Sequence, residues 1–97
     1  IMGPEILELE KKLAEFVGVS HCITVGSGTV SLEIALRSLN IGPGDEVITV
    51  PFTWISTAEV ILQVGAKPIF VDIQDDTFNL NPSLFCRSAT CISKLIL

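Results

Sequence analysis

The sequence predicts an α/β fold in which alternating helices and strands form a mostly parallel sheet, and three observations carry that prediction. The apolar period switches repeatedly between that of a helix and that of a strand, clusters of Gly, Pro, Asn and Asp mark each switch, and the helical stretches have the length of a crossover between parallel strands, about ten residues. Crossovers of this kind are right-handed and cover both faces of the sheet with helices.

The elements follow in order. Ile6, Leu9, Leu13, Phe16 and Val17 recur at helical spacing, Glu8 and Lys12 form an i,i+4 pair on the outer face, and Gly18 supplies a stop, which predicts an amphipathic first helix. Residues 22–25 read as a short buried strand. Leu32, Leu36 and Leu39 mark the inner face of a second helix over 29–39, broken by Asn40 and Gly42-Pro43-Gly44-Asp45. Glu46-Val47-Ile48-Thr49-Val50 is a strand rich in β-branched residues that closes at Pro51, which has no N–H for a ladder. A third helix over 55–64 ends at Gly65 and Lys67-Pro68, Ile69-Phe70-Val71 forms the next strand, and Gln74-Asp75-Asp76-Thr77 is a polar turn. Asn81-Pro82 pairs an N-cap residue with a proline suited to the first helical position and opens a last helix.

Composition narrows the function classes. The 97 residues are 48% hydrophobic and 18% charged with a net charge of −5, a balance opposed to nucleic-acid partners held through phosphate contacts. No apolar run reaches the roughly 18 residues that span a bilayer, and the first residues lack the pattern of a signal peptide, so a cytoplasmic protein without membrane partners is expected. Cys22, Cys86 and Cys91 are odd in number and lack C-x-x-C spacing, and His21 is the single histidine, so neither a disulfide framework nor a metal site is expected. His21 is assigned no chemistry.

The stretch Val25-Gly26-Ser27-Gly28-Thr29-Val30 has the form of a phosphate cradle. Its glycines allow close approach of a ligand to the backbone, and a helix beginning there directs unpaired N–H groups and a positive dipole end at an anion. The same pattern also serves as a plain packing turn between strand and helix. Trp54, on the loop after the Glu46–Val50 strand, leaves from the same end of the sheet, where ligands of parallel sheets bind. It is either a platform for a flat heteroaromatic group or an aromatic of the core. Asp72, at the carboxyl end of a strand, is either a ligand or base or, as its lack of a visible partner favours, a capping or turn residue.

Taken together, Gly3-Pro4-Glu5-Ile6, Phe16-Val17-Gly18-Val19, Ser27-Gly28-Thr29, Gly42-Pro43-Gly44-Asp45-Glu46-Val47-Ile48, Pro51-Phe52-Thr53-Trp54, Thr57-Ala58-Glu59, Gly65-Ala66-Lys67-Pro68 and Val71-Asp72-Ile73 resemble, in order, the DegT/DnrJ/EryC1/StrS aminotransferases. The resemblance implies part of a fold type I large domain and pyridoxal phosphate as cofactor. It further implies a nucleotide-linked keto sugar as substrate, glutamate as amino donor, and a homodimer. The role implied is amino-sugar synthesis for surface polysaccharides. Carried over by position, it implies that the N–H groups of Gly28, Thr29 and Val30, with the Thr29 hydroxyl, hold the cofactor phosphate and that Trp54 stacks on its ring.

The family also uses a lysine that bonds to the cofactor, and none of Lys11, Lys12, Lys67 and Lys94 stands at that position. The pattern fades after Leu84. The expectation is therefore a large-domain fragment over 1–84 with a divergent tail over 85–97, shortened at both ends and inactive alone. Alternatives are a non-catalytic dimerisation or interaction module and a simple phosphate or nucleotide binder.

Overall fold

The computed structural model describes residues 3–84 and, as backbone only, a strand at 93–96. The elements are α1 (Pro4–Val17), α2 (Gly28–Ser38), β1 (Glu46–Thr49), α3 (Ser56–Gln63), β2 (Lys67–Phe70) and β3 (Ser93–Ile96). The three strands form one parallel sheet in the order β2-β1-β3. This is the expected α/β class.

The centre of the sheet explains its sequence. Val47, Ile48 and Thr49 of β1 are fully buried, as a parallel strand flanked on both sides and covered on both faces requires. Leu36 from α2, Val60, Ile61 and Val64 from α3 and its end, and Ile41 and Ala66 from the connections pack with Val47 into one apolar cluster, against which Leu32 also leans. The inner face read for the second helix is thus right for Leu32 and Leu36. Leu39 lies just past the helix end and is exposed. Asn40 leaves the helix at φ 55, a conformation asparagine tolerates, and the Ile41 N–H returns to the Leu36 carbonyl at 3.1 Å.

α1 begins with Pro4 in its first turn and ends at Gly18, whose φ of 79 is the left-handed cap conformation. The Gly18 and Val19 N–H groups both donate to the Ala14 carbonyl, at 2.9 and 3.0 Å. The helix is amphipathic as expected, but its apolar face is not buried: only Ala14 is covered, and Phe16 is 89% exposed.

Three expectations about the elements change. Residues 22–25 form no strand and pair with no described strand, and the Thr24 N–H donates to Glu10 Oε1 at 2.7 Å. β2 starts at Lys67 and includes Pro68, which was read as part of the preceding turn; an edge position tolerates a residue without an N–H. β3 is a strand that periodicity did not reveal. The turn at 82–84 does form, with the Ser83 N–H donating to Asn81 Oδ1 at 3.0 Å, while the rest of the last helix, Cys86 and Cys91 lie outside the described residues.

Glu10 ties α1 to the approach to α2. Its carboxylate accepts from the Thr24 N–H and, at 2.8 Å, from the Thr24 hydroxyl, and these two donations hold its pKa below the ordinary value. A depressed carboxyl pKa stabilises the folded arrangement above the unfolded-chain value, near about 4.3, and that contribution is lost as pH falls through the folded value. Lowering the pH from 6 to 3 is therefore expected to free the Thr24 amide, seen as faster hydrogen exchange. Glu10→Gln should flatten this response, and an unchanged response would remove Glu10 as the clasp.

Candidate functional site

The end of the sheet where β1 runs out carries two loops that turn into helices, and between them lies an open hollow of ≈ 450 Å³. Ser27, Gly28, Thr29 and Ser31 line it from the α2 side, and Trp54 and Ser56 from the α3 side. The small-residue turn and the only tryptophan, far apart in sequence, thus face one space.

The turn is built from its first residue. Ser27 is the N-cap of α2, extended at φ −164, and its Oγ accepts the Val30 N–H at 3.2 Å while its carbonyl accepts the Ser31 N–H at 3.1 Å. Helix geometry leaves the Gly28 and Thr29 N–H groups, in the first turn, without a partner inside the helix. Ser31 Oγ donates to the Gly28 carbonyl at 2.6 Å. The positive end of the α2 dipole and two free donors therefore face the hollow.

The glycines bear on the choice between cradle and packing turn. A Cβ added at Gly26 or at Gly28 would meet no atom within 4 Å, and neither residue has the positive φ that demands glycine. No contact among the described residues requires them to be small. The space they leave is the space an anion needs to reach the backbone, and the residues present fit the phosphate of pyridoxal phosphate.

Trp54 is 74% exposed, which removes core packing as its reason within this chain. Its loop is braced by Phe52, whose ring stacks on Phe78 with centroids 5.6 Å apart and planes 18° apart. Of the four residues expected to contact the cofactor, the structure brings Gly28, Thr29 and Trp54 to the hollow. Val30 stands outside its lining, with its N–H engaged by Ser27 Oγ. Ser27, Ser31 and Ser56 line the hollow without having been singled out by the sequence. For Ser27 the available signal was its N-cap position before a helical run.

The other candidates lie elsewhere. Asp72 is exposed and spent on local turns, accepting the Ile73 N–H at 2.8 Å through Oδ1 and the Asn81 N–H at 2.9 Å through its carbonyl. Lys67 pairs with Glu46 across β1 and β2 at 3.6 Å, and neither it, Lys11 nor Lys12 lines the hollow. His21 is exposed and Cys22 is a free, half-buried thiol. Among the described residues no group of His, Cys, Asp and Glu is arranged to hold a metal ion, and no helix is long and apolar enough to cross a membrane.

The sequence profile of the DegT/DnrJ/EryC1/StrS aminotransferase family matches residues 1–97. The chain belongs to this family. It is 48% identical, over all 97 residues, to the UDP-2-acetamido-2-deoxy-3-oxo-D-glucuronate aminotransferase of Pseudomonas aeruginosa, of which it covers 27%. It is 52% identical over 75 residues, 77% of its own length and 20% of the relative's, to a UDP-N-acetyl-3-dehydro-alpha-D-glucosamine 3-aminotransferase of Acidithiobacillus ferrooxidans. Among solved structures it superposes with a TM-score of 0.90 and 34% identity on NtdA of Bacillus subtilis with bound cofactor PMP, over 98% of this chain and 22% of that one. The chain spans about a quarter of the length of the curated relatives it matches. The described α/β arrangement is that of part of a fold type I domain, and the two curated relatives named here are, by name, aminotransferases of UDP-linked sugars.

Proposed function

We propose that this segment of a DegT/DnrJ/EryC1/StrS aminotransferase provides the phosphate and ring contacts of a pyridoxal phosphate site. The enzyme it serves moves an amino group from glutamate to a nucleotide-linked keto sugar, as a cytoplasmic homodimer. The observation that carries this reading is the meeting of the open α2 N-terminus and exposed Trp54 at one hollow.

Pyridoxal phosphate, when bound, supplies the electron sink for amino transfer. The chain's own contribution is placement. Gly28 and Thr29 offer N–H donors to the phosphate, the α2 dipole favours its charge, and the Trp54 indole fixes the plane of the ring. Amino transfer needs a lysine at the cofactor, and among the described residues Lys11, Lys12 and Lys67 stand away from the hollow. The same reading makes the Val30 amide a further phosphate donor once the Ser27 side chain turns away.

Because Trp54 is the single tryptophan, its fluorescence reports on the hollow directly. Pyridoxal phosphate is expected to quench it saturably, with free phosphate competing, whereas pyridoxine lacking the phosphate should quench far less. Quenching without saturation would end the proposal. A second reading, an interaction module, is favoured by the uncovered apolar face of α1 and predicts association with a longer relative without any quenching.

A further inference from the structure

We infer that Phe78 is a positioning residue for the cofactor ring: through Phe52 it sets the loop that presents the Trp54 indole to the hollow, a role that rests on the cofactor reading proposed above.

Phe78 stands at φ 57, in the left-handed region that a bulky side chain rarely enters and that glycine or asparagine occupies at less cost. A closed turn imposes that conformation from both sides. The Gln74 N–H donates to the Asn79 carbonyl at 2.8 Å and the Phe78 N–H to the Gln74 carbonyl at 3.0 Å. The Thr77 hydroxyl donates to Gln74 Oε1 at 2.9 Å, and Ile73 and Leu80 form an antiparallel bridge at the base of the turn. Backbone strain of this kind persists only where the surroundings over-determine it, and it concentrates where a fold positions functional groups. Burial does not account for a phenylalanine here, because Phe78 and Phe52 remain 58 and 51% exposed. What the ring does is stack on Phe52, with 5.6 Å between centroids and 18° between planes. Phe52 stands two residues before Trp54 on the loop from β1 to α3, and the Trp54 carbonyl accepts the Thr57 N–H at 3.2 Å in the first turn of α3. The loop is therefore held on both sides of the indole, by the 74–79 turn before it and by α3 after it. An indole 74% exposed draws little orientation from packing, so the loop beneath it decides how it meets the hollow.

The test combines the fluorescence anisotropy of Trp54 in the free 97-residue chain with titration by pyridoxal phosphate and, in competition, by inorganic phosphate. Phe78→Asn keeps a residue that tolerates the turn and removes the ring. It is expected to lower the Trp54 anisotropy and to weaken pyridoxal phosphate about three- to tenfold, the worth of an aromatic pair, while the inhibition constant of inorganic phosphate stays the same. Phe78→Tyr, which keeps the ring, should return both readouts to those of the parent. Phe52→Leu breaks the same stack from the other side and leaves the turn untouched, so it should act like Phe78→Asn, and the double variant should do no more than either. If circular dichroism shows Phe78→Asn to be unfolded, Phe52→Leu carries the test. Unchanged anisotropy or unchanged affinity in a folded variant, or equal weakening of pyridoxal phosphate and inorganic phosphate, would overturn the role of Phe78 while leaving the cofactor site in place. Absence of saturable binding by the unsubstituted chain would instead overturn the cofactor reading and this inference with it.

Discussion

Gly28→Val is expected to lower the affinity of the chain for pyridoxal phosphate by on the order of a hundredfold while leaving the fold intact, because its two consequences act on different things. The fold does not need glycine at this position. Residue 28 is the first of α2, its φ is not positive, and a Cβ there meets nothing within 4 Å. A valine at a helix start costs only tenths of a kcal/mol relative to other ordinary residues, and removing glycine's extra unfolded-state freedom offsets part of that. The hollow, however, is lined by this residue, and a branched side chain at its mouth holds an anion away from the Gly28 and Thr29 amides. Loss of two hydrogen bonds to a charged group, at about 1.5 kcal/mol each, the low end for such bonds, accounts for the predicted factor. Trp54 quenching measures the binding and circular dichroism the fold. A variant that binds as well as the parent would show that phosphate does not sit on the α2 turn.

The parts of this fold that were legible in the sequence are those set by local chemistry. Gly18 and Asn40 mark helix ends because the chain turns left-handed there, and Val47, Ile48 and Thr49 read as a buried strand because β-branched residues covered on both faces look that way. Residues 22–25 misled for the opposite reason: apolar residues license a strand but cannot supply a partner, and in the fold the Thr24 amide donates to Glu10. Strand β3 falls in the stretch expected to be a divergent tail, and its position beside β1 is a tertiary fact. At the site, the turn and the tryptophan were legible as chemistry. That they share one hollow followed from the rule that parallel sheets bind ligands at the carboxyl ends of their strands.

The 97-residue chain is expected to self-associate at micromolar concentration, and Phe16→Glu together with Leu9→Lys to return it largely to monomer. α1 presents Leu9, Leu13, Phe16 and Val17 along one side at exposures of 48, 39, 89 and 66%, and Ala14 alone among its residues is buried. A face of this size without cover is rare on soluble monomers and seeks apolar surface elsewhere. The overall dimensions agree: the radius of gyration is 15.9 Å, against roughly 13 Å for a compact domain of about 100 residues. Of the clasps that hold α1 near the body, the Glu10–Thr24 pair is polar and the outward Glu8–Lys12 pair at 2.6 Å is confined to the helix itself. Neither competes with burial of three or four large side chains, which at about 1.5–3 kcal/mol each would drive two such helices together. Sedimentation velocity across a concentration series distinguishes the outcomes. The parent chain should sediment faster as concentration rises and the double variant should not, with Trp54 quenching unchanged in both. A monomeric parent chain with a sharp thermal transition would show that the apolar side of α1 is not adhesive.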